Sequence, residues 1–78
     1  MFVTAIAKTE DDQKYALGTK NGYVLVFDDQ ETSNLLYELF PKKSGKGAVR
    51  TIDFSSKGDK LIIGYEKNFI HEFQMKNG

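Results

Sequence analysis

Apolar residues along this chain come in short blocks, cut by clusters of polar and turn-forming residues. Phe2 to Ala7, Lys14 to Thr19 and Tyr23 to Asp28 are separated by Glu10-Asp11-Asp12 and Lys20-Asn21-Gly22. After Asn34 to Phe40 come Ala48 to Ser55, Lys60 to Tyr65 and Phe69 to Met75, with breaks at Lys57-Gly58-Asp59 and Glu66-Lys67-Asn68. Blocks this short, rich in β-branched and aromatic residues, predict strands. Asn21-Gly22 between two apolar runs is a strong hairpin signal, because both residues tolerate positive φ. Seven short strands in an antiparallel meander follow. Only Ser33 to Phe40 is ambiguous. Leu35, Leu36, Leu39 and Phe40 also fit helical spacing after Thr32 or Ser33 as a cap. Its strand neighbours favour a strand.

The blocks repeat. With Val3 placed over Val49, an offset of 46, Ile6 falls on Ile52, Lys14 on Lys60, Gly18 on Gly64 and Phe27 on Phe73. Apolar positions coincide between these identities without a gap. A period of 40 to 50 residues points to propeller blades or arrays. Tyr23 to Phe27 and Leu61 to Ile63 are apolar without alternation, so those strands need cover on both faces. Stacked small sheets supply it.

The segment Ala16-Leu17-Gly18-Thr19-Lys20-Asn21-Gly22-Tyr23-Val24-Leu25-Val26-Phe27-Asp28 resembles the second and third strands of a WD40 blade, with Phe27-Asp28 at the family's Trp-Asp position. Gly47 through Gly64 resembles the first and second strands of such a blade. The chain departs from the family in having no Gly-His before either first strand, and Phe73-Gln74 at the second Trp-Asp position. Of the family's hydrogen-bonded tetrad, Thr19 and Asn21 have counterparts; the His and Trp do not. Blades held by packing alone are the expectation. The run Gly18 to Asp28, with Gly47-Ala48-Val49 and Gly64-Tyr65, is similar to the propeller of vacuolar-sorting subunits of CORVET-type endosomal tethering complexes.

The resemblance implies an all-β fold of antiparallel four-stranded propeller blades. Residues 1–40 would form the first WD40-like blade. Residues 41–78 would supply the interblade loop and a partial second blade lacking its outer strand. The implied function is a non-catalytic protein–protein interaction scaffold in vesicle trafficking and protein transport. It would be cytoplasmic, at most peripheral to endosomal membranes. The alternatives are a structural fragment of a larger propeller, or a docking module for anionic lipid or an acidic peptide. Expected partners are proteins or further blades of the same propeller. Self-association would use open blade faces and the Phe69–Met75 edge.

Composition narrows the chemistry. Eleven basic residues balance eleven acidic ones, so no net charge draws the chain to nucleic acid. The absence of Cys removes disulfides and cysteine–zinc clusters. Ser44-Gly45-Lys46-Gly47 fails as a phosphate loop, since Phe40 stands where its first Gly is needed and Gly47 follows the Lys. His71-Glu72 lacks a second His four residues on, where Met75 stands. A half-buried, hydrogen-bonded His71 is expected, and no metal or cofactor. Tyr15, Tyr23, Phe27, Phe69 and Phe73 read as core and not as a base-stacking platform. Glu10-Asp11-Asp12 and Asp28-Asp29-Gln30-Glu31 lack calcium-loop spacing and read as solvated turns.

In a meander, alternate turns lie at opposite ends. The first, third and fifth turns carry net −6; the second, fourth and sixth carry net +4. The basic end places Lys20, Lys42, Lys43, Lys46 and Lys67 together as candidate binding residues, against the plainer reading that separated charge serves solubility.

Overall fold

A computed structural model describes residues 2–28, 34–40 and 47–75. It contains seven strands: β1 (Val3–Lys8), β2 (Lys14–Thr19), β3 (Val24–Asp28), β4 (Asn34–Leu39), β5 (Val49–Phe54), β6 (Lys60–Tyr65) and β7 (Ile70–Gln74). β1 to β4 form one antiparallel sheet in chain order, and β5 to β7 form another. These are the propeller blades expected, with three strands in the second among the described residues. The ambiguous segment is strand β4.

The 46-residue offset is written into the backbone. β1, β2 and β3 map onto β5, β6 and β7 end for end. Both first pairs carry the same irregularity, between Val3 and Ala5 and between Val49 and Thr51. In the first turn of each blade a hydroxyl caps the hairpin. Thr9 Oγ1 accepts from the Lys14 amide, and Ser55 Oγ from the Lys60 amide, both at 3.1 Å. In the second turn, the Gly22 amide donates to the Thr19 carbonyl and the Asn68 amide to the Tyr65 carbonyl. Gly22 and Asn68 sit at φ 89° and 64°, a region that Gly and Asn enter at least cost.

Stacking uses opposite faces. The first blade buries Ala16, Val24 and Val26 toward its neighbour; the second buries Val49, Ile52, Leu61 and Ile63. By the offset, Ala16 corresponds to Ile62 and Leu61 to Tyr15, so the contact is head to tail. Removing a Leu, Ile or Val side chain from water contributes roughly 1.5–3 kcal/mol, and this shared core joins the sheets. Gly18 and Val49 fix how closely they approach. A Cβ added to Gly18 would lie 2.7 Å from Val49 Cβ and 3.1 Å from Ile52 Cδ1. Farther out, the Tyr37 and Phe73 rings meet edge to face, centroids 5.3 Å apart.

Packing is not the whole bond between blades, contrary to expectation. The Thr4 hydroxyl donates to the Val49 carbonyl at 2.6 Å. It joins β1 to β5 at the place where both strands are irregular.

Candidate interaction surfaces

Stacking in register puts equivalent turns at the same end. At the acidic end, a Cβ added to Gly58 would lie 3.3 Å from Thr9 Cγ2, so the β1–β2 and β5–β6 turns touch. Between them lies a polar cleft of about 170 Å³ lined by Glu10, Asp11, Lys14 and Lys57 among others. Asp11 accepts from the Thr9 hydroxyl at 2.6 Å and the Gln13 amide at 3.1 Å. These bonds, the hydroxyl foremost, hold its carboxyl below the usual range. Asp59 is lowered in the same direction, first by the Ser55 hydroxyl at 2.9 Å and then by the Gln74 amide. These carboxylates lock their own hairpins. Among the described residues, no three His, Cys, Asp or Glu side chains converge to hold a metal ion.

At the opposite end stand Lys20 and Lys67. Lys20 is exposed, with Nζ 5.6 Å from the Phe2 ring centroid. Lys67 is exposed in the equivalent β6–β7 turn. Lys42, Lys43 and Lys46 lie outside the described residues, as does most of the failed phosphate loop. Glu66, next to Lys67 in the chain, accepts from the Ala48 amide at 3.0 Å. Thr19 is buried and accepts from the Tyr23 amide at 3.1 Å, so it serves its own hairpin.

Two expectations need correction. His71 is exposed, not half-buried, although Phe73, two residues on in β7, meets Tyr37 of the first blade. Nor are the aromatics all core: Tyr23 and Phe69 are 40% and 49% exposed. Tyr23 belongs to the first blade's outward face, against which no sheet of the described residues packs.

That outward face is largely apolar. Phe2, Tyr23, Leu25, Phe27, Leu35 and Phe40 line a groove of about 510 Å³. Tyr15 stacks on Phe27 at 5.0 Å, and Tyr23 meets Phe40 edge to face at 5.2 Å. Sequence reasoning missed the groove, although the repeat contains the signal. Tyr15 and Leu17 occupy the positions of Leu61 and Ile63, which are buried only because a blade lies against them. At the Trp-Asp position, Asp28 Oδ1 is buried and accepts no hydrogen bond from the described residues. No helix among the described residues is long and apolar enough to cross a membrane, which leaves a β-barrel untouched.

The family described as "Vps8 beta-propeller" matches residues 3–78. No curated protein matches the chain. The match agrees with the resemblance to a vacuolar-sorting tethering subunit.

Proposed function

We infer, for a chain that belongs to the Vps8 β-propeller family, a non-catalytic role as a protein–protein interaction scaffold in endosomal vesicle tethering. Residues 1–40 serve as one blade, and 41–78 as the interblade loop and part of the next. The carrying observation is the shared geometry of the β2–β3 and β6–β7 turns, which sets exposed Lys20 and Lys67 at one end of a rigid stack. With Lys42, Lys43 and Lys46 on the connection between the blades, this end docks an acidic segment of a partner protein. Rigid strands give such turns fixed positions, and loops carried on a rigid scaffold are where binding residues concentrate. Opposite charge then accelerates encounter and fixes orientation.

The test is fluorescence anisotropy of a labelled Glu/Asp-rich peptide with the chain and with a variant reversed to Glu at all five lysines. A loss of about tenfold in affinity, with strong salt dependence, supports the reading. Equal binding by both chains, or binding by the lysine end only to anionic vesicles, overturns it.

A further inference from the structure

The blade contact in this chain has a knob and a hole. Val49 and Ile52 on the second blade close over Gly18 on the first, where a side chain would collide with both. These positions recur 46 residues away as identities: Val3 and Ile6 repeat the knob, and Gly64 repeats the hole. Among the described residues the second knob and hole are unmated. Val3 and Ile6 are 50% and 63% exposed on the outward face of the first blade. Gly64 lies on the opposite outward face, between exposed Ile62 and Ile70, which stand where buried Ala16 and Val24 stand in the first blade.

We propose that this chain binds a second copy of itself head to tail, Val3 and Ile6 of one copy closing over Gly64 of the other. The contact repeats the knob and hole of the internal one, with the bulkier Ile62 and Ile70 in place of Ala16 and Val24 and Arg50 in place of Thr4. Charge supports the same pairing. Phe54 and Ala7 pack against the internal core; their counterparts in the new contact are Lys8 and Asp53, both exposed. A lysine and an aspartate thus replace an apolar pair, one on each partner. The Thr51 hydroxyl would lie 2.5 Å from a Cβ at Gly64. Thr51 is exposed and turns aside by rotation about one bond. A head-to-tail contact continues into a closed ring or an open filament, according to its rotation. This inference rests on the blade stack and is independent of the lysine end, so its failure leaves the docking role standing.

The experiment is sedimentation equilibrium over a hundredfold range of concentration. The unaltered chain is expected to exceed the mass of two copies. Ile6→Glu closes one face and Ile70→Glu the other; each variant alone is expected to be monomeric. An equimolar mixture of the two should form a dimer and nothing larger. Lys8→Glu and Asp53→Lys, on exposed positions that leave folding undisturbed, should each weaken association about fivefold. The doubly reversed chain should recover it. A monomeric unaltered chain at every concentration overturns the proposal and assigns these faces to other blades. Dimers of Ile6→Glu or Ile70→Glu alone overturn it too, since like faces would then be meeting, as does failure of the double reversal to recover association.

Discussion

The two blades have one backbone and two surroundings. Their strands, irregularities and turn hydrogen bonds coincide at the 46-residue offset. Their side chains diverge where the neighbours differ. Ala16 and Ile62 hold the same place in the middle strand; Ala16 is fully buried, whereas Ile62 is 44% exposed. Ala7 and Asp53 differ in the same way, a small residue against a sheet and a carboxylate in solvent. Turn chemistry therefore builds the blade, and the facing sheet selects the residues on its surface.

The sharpest break in the comparison is at the two glycines. Gly18→Val places its side chain into Val49 and Ile52, both fixed in the shared core. A loss of about 3 kcal/mol, the upper end for overpacking, is expected in urea denaturation. Gly64→Val meets only the hydroxyl of exposed Thr51 and should cost below about 1 kcal/mol. Equal losses would show that both glycines answer to the strand and not to the neighbouring blade.

The pair Ala16 and Ile62 gives the next effect. Ala16→Ile forces an extra branch into the contact and should cost about 2 kcal/mol. Ile62→Ala should change the urea midpoint of the dilute chain by less than about 0.5 kcal/mol, as for other surface positions. A large loss at Ile62 in dilute solution would mean that the chain already covers this face.

Strand placement was legible in the sequence because turn residues bound every block, and a hairpin is decided locally. The repeat extended this to register, since coincident apolar positions require coincident strands. Burial was not legible to the same degree. Tyr23 and Val24 are both apolar, but only Val24 faces the second sheet. Nothing local to either residue marks which face has cover. His71 failed for the same reason. The Thr4–Val49 bond was also out of view, because its partners lie 45 residues apart on different blades. The groove on the first blade needed a further step, in which buried residues of one copy mark open ones in the other.

A smaller effect belongs to the second turns. Gly22 and Asn68 occupy one place in the repeat, both at positive φ. Gly22→Ala should cost about 1 kcal/mol, from the clash of Cβ with its own backbone. Asn68→Gly should cost only a few tenths, because the conformation suits glycine and only the asparagine side chain is lost. Thermal midpoints read both. A larger loss at Asn68 would mean that its side chain, and not the backbone bond to Tyr65, organises the second hairpin.

The smallest effect separates the first turns by pH. Asp11 and Asp59 both titrate below their ordinary value in the folded chain. A lowered carboxylate favours the folded state above its unfolded pKa, near 4, and that contribution fades as pH falls through the folded value. Both carboxylates are open to solvent, so screening keeps the effect on stability small. Their partners differ in origin. Asp11 is held by Thr9 and Gln13 within its own turn, whereas the Gln74 amide reaches Asp59 from β7, the edge strand. Gln74→Ala should therefore raise the titration midpoint of Asp59, followed by NMR of the side-chain carboxyl carbons, and leave that of Asp11 unchanged. Ser55→Ala should raise Asp59 further than Gln74→Ala, because the hydroxyl is its largest influence. If Asp59 ignored Gln74→Ala, the 3.5 Å contact between the Gln74 amide and the Asp59 carboxylate would be absent in solution, and both carboxylates would be held within their own turns.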